Sequence, residues 1–296
     1  MATSNKQKEN HLKIIQYTEG MIITPPCIIA GMPNSDYHAH ESISKSGLDL
    51  FNRSPAHYHF AEPREPTRAV AIGTAIHAAI LEPEVFANDY MLLESVTDRR
   101  ASAYKEAVKI YGVDNVLTAT ESANVKGMQE MALANPDYQK YASSEHSTEL
   151  SFFGICSITG LTLRCRFDLL THDGRALDVK KTRDSQEYDF ARSILNYRYH
   201  VQHAFYSHVY KCVTGNEIES FEFFAIGENS PHANVVYCLD DESVAIGRKE
   251  MMDNLQHLAS EHDKTEGIWG ARTIISLPEW YLNNAAEAAF EAEDEL

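Results

Sequence analysis

Residues 147–182 read STELSFFGICSITGLTLRCRFDLLTHDGRALDVKKT. Two turn signals divide the stretch, Ser157 to Gly160 and the pair Asp173-Gly174, both of the kind that closes a hairpin. The spacing predicts three short antiparallel strands. With the second hairpin centred near Asp173, Asp168 falls opposite Asp178; with the first centred between Ile158 and Thr159, Glu149 falls opposite Asp168. Three acids then lie in one row across the sheet. Like charges directly opposite one another repel, so the row is costly unless a cation sits over it. Lys180 stands two residues past Asp178 on the same strand face, while Leu177 and Val179 face the other way, into a core. A register slip of one residue would break the row.

These residue types suit one chemistry. Carboxylate oxygens suit the hard ion Mg²⁺, which acidifies a water and polarises a phosphate. A lysine beside it orients that water and steadies charge developing on the phosphate. The alternating charge of Arg164, Arg166 and Asp168 also suits an ordinary surface strand, so the stretch alone leaves both readings open.

The 296 residues allow one large domain or two small ones, and an apolar fraction of 44% is ordinary for a chain that buries a core. No apolar run approaches membrane-spanning length, and the N-terminal MATSNKQKENHLK carries no apolar signal segment, so a cytoplasmic protein with no membrane partner is expected. The five cysteines are scattered without a C-x-x-C, which argues against a zinc ribbon, an iron–sulfur site or a disulfide framework; each is expected as a buried or half-buried thiol. A formal net charge of -17 opposes general affinity for DNA, which rests on phosphate neutralisation by Lys and Arg. Part of that charge lies in the terminal EAAFEAEDEL, however, and basic residues cluster at Arg64/Arg68, Arg99/Arg100/Lys105 and Lys180/Lys181/Arg183. The second cluster, with Lys181 and Arg183, is the candidate DNA-binding set: Arg99, Arg100, Lys105, Lys181 and Arg183.

Outward from the centre, residues 22–29 read as an extended lead-in and 31–40 as a loop, whose His38 and His40 lack the strand that would make an H-x-H pair a metal site. Ser44 or Ser46 caps a helix with Leu48, Leu50 and Phe51 on its apolar face, and Pro55 ends or restarts it. A helix over 71–84 opens at Gly73-Thr74 and stops at Pro83; its lone His77 reads, by itself, as a core histidine. Residues 98–134 read as helix interrupted near 112–115. One long helix over 188–213 carries Gln202 and Tyr206 on one face. Strands follow over 217–227 and 233–239, then a helix over 242–261, and Trp269 to Trp280 reads as a closing segment.

His77, Asp168, Asp178-Val179-Lys180 and Gln202-x-x-x-Tyr206 stand in the motif order of RecB-like PD-(D/E)xK nucleases, and the chain resembles that superfamily from about Tyr37 to Lys211. Gly73 to Glu82, G-T-x-x-H-x-x-x-L-E, resembles its first motif. The wording DYHAHESISKSGLDLFNRSPAHYHF, GTAIHAAILEPE, TELSFF and YHVQHAFY is similar to the nuclease domain of RecE-type exonucleases. The resemblance implies an α/β (α+β) fold: a PD-(D/E)xK core with a central mixed sheet and antiparallel meander flanked by helices. It divides the chain into an arm and lead-in over 1–36, one exonuclease domain over 37–285 and an acidic tail over 286–296. It implies a Mg²⁺-dependent exodeoxyribonuclease, with Mn²⁺ able to substitute. Such an enzyme degrades one strand of duplex DNA from the 5′ end, releases 5′-phosphorylated products and leaves 3′ single strands for recombination. A ring-shaped tetramer and a single-strand annealing protein of the RecT type as partner are implied with it. Carried over residue by residue, His77, Asp168, Asp178 and the Val179 carbonyl are metal ligands, with Glu149 a further ligand for a second ion. Lys180 positions the attacking water, and Gln202 and Tyr206 hold the DNA end or brace Lys180. Ser54 stands where several relatives carry an iron–sulfur cysteine, so no cluster is expected. Two other readings stay open: an endonuclease or single-strand exonuclease on the same fold, and a non-catalytic ring-shaped DNA-binding protein.

Overall fold

In the computed structural model, residues 13–62, 66–261, 274–279 and 281–282 are described. The arm's residues 1–12, Arg64, the acidic tail over 286–296, and residues 269–273 and 280 of the expected closing segment lie outside them. The lead-in supplies two strands, β1 (Ile14–Gln16) and β2 (Cys27–Ala30). Where a loop was expected, a short helix α1 (Asn34–Ala39) forms, with Tyr37 buried beneath it. Helix α2 (Lys45–Arg53) starts where Ser44 Oγ accepts the Gly47 N–H at 3.2 Å, and α3 (Pro55–His59) restarts at the proline under a Ser54 cap. Helix α4 (Arg68–Leu81) begins before Gly73, because Thr67 caps it; Gly73 and Thr74 lie inside. Pro83 both stops α4 and opens α5 (Pro83–Asp89), since proline lacks the N–H that a helix interior needs but a first turn does not.

Between α5 and the meander, β3 (Met91–Leu92), α6 (Ser102–Tyr111), β4 (Val116–Leu117), α7 (Ala119–Leu133) and α8 (Pro136–Ala142) follow. The predicted interruption is real: Gly112 leaves α6 at φ 82°, and a Thr118/Glu121 capping box starts α7. The central stretch folds as three antiparallel strands, β5 (His146–Ile155), β6 (Thr162–Thr171) and β7 (Arg175–Thr182). The long helix is two: α9 (Glu187–Asn196) and α10 (Tyr199–Thr214), separated at Arg198, whose φ of 53° and ψ of 47° no right-handed helix admits. Strands β8 (Ser220–Gly227) and β9 (Asn234–Cys238) and helix α11 (Asp241–Glu261) complete the described elements.

The main sheet runs β1-β2-β5-β6-β7-β8-β9, with β1–β2 and β7–β8 parallel and the other neighbours antiparallel. A parallel pair requires a crossover, and α9 with α10 forms the one between β7 and β8. Helices cover both faces: α4, α7 and α8 pack with Leu169, Leu177, Val179 and Phe224, while α2, α10 and α11 pack with Phe152, Phe167, Ala176 and Phe223.

One irregularity places the functional residues. The register passes from Thr148↔Leu169 to Leu150↔Phe167 without pairing Glu149 to Asp168, and Glu149 sits at φ 50°. Strict alternation puts Phe167 and Leu170 on opposite faces, yet both join the same core cluster. The facing of the strand therefore switches at the two acids, as at a bulge.

The surface-strand reading is corrected. Arg164 and Arg166 are buried at 6% and 8% exposure, the former donating to the carbonyls of His38, His40 and Ser42. Cys27, Cys156 and Cys165 are buried and Cys212 half-buried, but Cys238 is exposed, against expectation. Among the described residues no helix is long and apolar enough to cross a membrane.

Candidate active site

Beyond the Leu169↔Leu177 pair the ladder between β6 and β7 stops. Continuing the register would set Asp168 against Asp178. Instead Asp168 Oδ2 accepts the Val179 N–H at 2.7 Å, a charge-assisted bond that fixes the carboxylate between the strands. The Val179 side chain is fully buried in the core beneath α4. From α4, His77 brings Nδ1 to 3.5 Å from the same Asp168 oxygen. Glu149 completes the group: one potential ligand atom from each of His77, Glu149 and Asp168 lies within 4.8 Å of the others.

Asp178 takes a different position from the one expected. It is 3% exposed; its Oδ1 accepts a hydrogen bond from Gln202 Nε2 at 2.6 Å, and Lys180 Nζ lies 2.5 Å from its Oδ2. The lysine contact is an ion pair without hydrogen-bond alignment, which leaves Oδ2 a buried oxygen with no bonded donor. Asp178 is therefore adjacent to the trio rather than part of it. Gln202 holds Asp178, not Lys180; the group against Lys180 is Tyr199, whose ring centre is 4.7 Å from Nζ. Tyr206 lines the cleft, edge-on to Phe167 and Phe221, and burial holds its phenol far above the usual range.

The electrostatics are those of crowded acids. Burial first, then Asp168, push Glu149 up to about 8, with Arg166 pulling the other way. Burial pushes Asp178 up to about 6, opposed by Lys180 and aided by Asp168. Burial works against the charged Lys180, but Asp178 and Tyr199 outweigh it and raise its pKa. The two shifts do not mirror one another because Asp178 also feels Asp168 and its own burial. A cation over the trio would relieve this repulsion. Two carboxylates and an imidazole form a donor set that fits a divalent metal, with the carboxylate oxygens suited to hard ions such as Mg²⁺ or Mn²⁺.

The cleft over these residues measures about 860 Å³. Its wall holds Arg166, to which the sequence assigns no role in the site. Arg166 donates to Ser151 Oγ at 2.9 Å, Asn34 Oδ1 at 2.6 Å and the Met32 carbonyl at 2.8 Å, with its guanidinium 4.3 Å from the Tyr37 ring centre. Its position two before Asp168 on β6 was the available signal. Glu82 also lines the cleft, its carboxyl raised by burial. His38 does too, its imidazole held down by burial and by Arg164 and Arg166.

The candidate DNA-binding residues divide. Lys181 lines this cleft and a second one of about 780 Å³, and pairs with Glu228 at 2.6 Å; Arg183 lines only the second. Arg99 joins Arg68 on Glu121, Arg100 pairs with Asp98 at 2.9 Å, and Lys105 is exposed on α6. None of these last three lines the acid cleft.

Residues 44–266 match a family described as "PDDEXK-like domain of unknown function (DUF3799)". A crystal structure of a candidate exonuclease from Eubacterium rectale is similar to this chain at a TM-score of 0.55 and 12% identity, covering 86% of this chain and 99% of that one. A second solved protein, SSO0001, aligns over 73% of this chain and 86% of its own at 13% identity, with a TM-score of 0.28, too low to bear on the fold. No curated protein sequence matches the chain.

Proposed function

The chain belongs to this PDDEXK-like family, and from that premise we propose that it is a metal-dependent exodeoxyribonuclease acting on the ends of duplex DNA. The observation that carries the reading is the convergence of His77, Glu149 and Asp168 beside a lysine that a second acid holds at 2.5 Å. His77, Glu149 and Asp168 would hold the cation, and in this reading the Val179 carbonyl and Asp178, whose Oδ2 has no hydrogen-bond donor, are further candidate ligands. When bound, a divalent cation supplies Lewis-acid stabilisation of phosphate charge and lowers the pKa of water.

The chain's own groups do the remaining work. The Val179 N–H keeps the Asp168 carboxylate oriented. Gln202 locks the rotamer of Asp178, and Asp178 with the Tyr199 ring fixes the Lys180 ammonium. A positioned ammonium orients an attacking water and stabilises negative charge growing on the phosphate without reorganisation. Tyr206, kept neutral by burial, presents a hydroxyl rather than a phenolate to the strand.

In the fuller form of this reading the enzyme is Mg²⁺-dependent, with Mn²⁺ substituting. It proceeds 5′ to 3′, releases 5′-phosphorylated products and leaves a 3′ strand for a RecT-type annealing protein. It works as a ring-shaped tetramer that gathers basic groups around one channel, which would reconcile processive action with a net charge of -17. The test is digestion of linear duplexes labelled at the 5′ or the 3′ end, with Mg²⁺ and with chelator, beside covalently closed circles. Early release of the 5′ label with Mg²⁺ and intact circles are expected. Rapid nicking of circles would replace the exonuclease by an endonuclease, and no cleavage of any DNA would overturn the reading.

A further inference from the structure

Lys181 lines both clefts, and Tyr199 on the wall of the second lies against Lys180, which lines the first. The walls of the second cleft come from the end of β7, the crossover helix α9 and the corner between α9 and α10. At that corner Tyr197 is 62% exposed, yet its ring stacks on Tyr199 with centroids 5.6 Å apart and planes 26° apart. Tyr199 in turn faces the Lys180 ammonium. One exposed ring is thus joined through a second ring to the lysine of the candidate active site.

The corner is built, not incidental. Arg198 between the tyrosines is left-handed, which costs about 1–2 kcal/mol for a residue other than glycine. Its guanidinium is held by Asp49 at 2.8 Å, Glu250 at 3.1 Å and Asn254 at 2.9 Å, and Lys45 donates to the Tyr197 carbonyl. These contacts from α2 and α11 force the chain to present Tyr197 outward and Tyr199 inward.

Around the platform, Lys181, Arg183 and Arg192 balance the three acids that also line the cleft, so a chain of net charge -17 is locally neutral here. Arg183 has no hydrogen bond or ion pair among the described residues, and Arg192 lies 5.9 Å from the ring centre of Tyr188, itself 73% exposed. Exposed aromatic faces beside unpaired cations are what unpaired bases and their phosphates bind, whereas a paired duplex hides its base faces.

We propose that the second cleft binds single-stranded DNA, with Tyr197 as a base-stacking platform that carries the strand being cut across Lys180. The proposal rests on the nuclease reading for its direction but not for its test. In chelator, where nothing is cut, fluorescence anisotropy of the full chain is measured with labelled oligothymidylate and with a blunt hairpin duplex. Tyr197→Ala should weaken oligothymidylate binding about 5- to 150-fold, the range of one lost base–aromatic stack, and leave the blunt duplex within about threefold. Tyr197→Phe should restore most of the loss, and Arg183→Ala should lower the log–log salt slope by about 0.7. The proposal fails if the wild type does not bind oligothymidylate, if Tyr197→Ala binds it as the wild type does, if both DNAs lose equally, or if Phe does no better than Ala. A protein that cuts DNA but fails this assay loses only the platform; one that binds but never cuts loses only the nuclease reading.

Discussion

The two clefts that share Lys181 are built on opposite principles. At the acid centre several key groups are held by protein partners: Asp168 by the Val179 N–H, Asp178 by Gln202 and Lys180, Arg166 by three acceptors. In the second cleft Arg183 is free among the described residues and Tyr197 is open to solvent. Groups that act on a reacting atom gain by being held before the substrate arrives. Groups that grip a moving strand gain by having no internal partner to give up. If that division is right, substitutions in the first cleft should change chemistry and stability together, while those in the second should change engagement alone.

The strongest way to break the contrast is Asp168→Asn. On the proposed reading this removes a ligand of a cation worth several kcal/mol of charge stabilisation, which should cut the single-turnover cleavage rate by about 10²- to 10⁴-fold; a rate within tenfold of the wild type would remove Asp168 from the centre. Next comes Asp178→Ala. It strands the Lys180 ammonium in a buried site, which should cost about 3–5 kcal/mol in urea unfolding. Adding Lys180→Met should recover much of that loss, whereas Arg183→Ala in the other cleft should stay within about 0.5 kcal/mol.

A third prediction concerns pH. Glu149 titrates near 8 in the folded metal-free protein against an ordinary value of 4.5. Between those values the folded state holds a proton that the unfolded chain has released. Stability should therefore be highest below about pH 4.5 with respect to this group and fall as pH rises toward 8, by a few kcal/mol at ~1.4 kcal/mol per pKa unit. Glu149→Gln should flatten that slope in chelator-treated protein; an unchanged profile would show that the crowding of acids is not felt. The smallest effect is expected outside both clefts. Arg99→Ala with Arg100→Ala should lower the log–log salt slope of duplex binding by at most about 1.8, two phosphate contacts' worth, without altering metal affinity. An unchanged slope would take these arginines off the DNA path.

Much of this architecture was legible in the order of residues. Turn chemistry at Ser157–Gly160 and Asp173-Gly174 defined the meander, and counting outward from those turns matches the β5–β6 register on either side of Glu149 and Asp168. What counting could not show is that the ladder skips the acids, because alternation assumes that every residue is extended and Glu149 is not. The break between α9 and α10 was hidden for a related reason. Arg198 has good helix propensity, and only its partners on α2 and α11, distant in sequence, hold it left-handed. The order of motifs brought His77, Asp168, Asp178, Lys180 and Gln202 to one place, but it paired Gln202 with the wrong neighbour. Spacing on a helix says which residues share a face, not which of two adjacent strand residues they reach. The burial of Arg164 was illegible because backbone carbonyls, which have no sequence signature, satisfy it.

The left-handed backbone at Glu149 has a consequence for how this protein drifts and how it can be improved. Glycine adopts that conformation without steric penalty, so Glu149→Gly relieves both the backbone and the crowding of acids. A campaign that screens only for heat resistance would therefore be drawn to glycine at 149. It would return a sturdier protein that has lost one member of the His77/Glu149/Asp168 group, and on the proposed reading the winners would be recognisable by a melting curve that no longer responds to an added divalent cation.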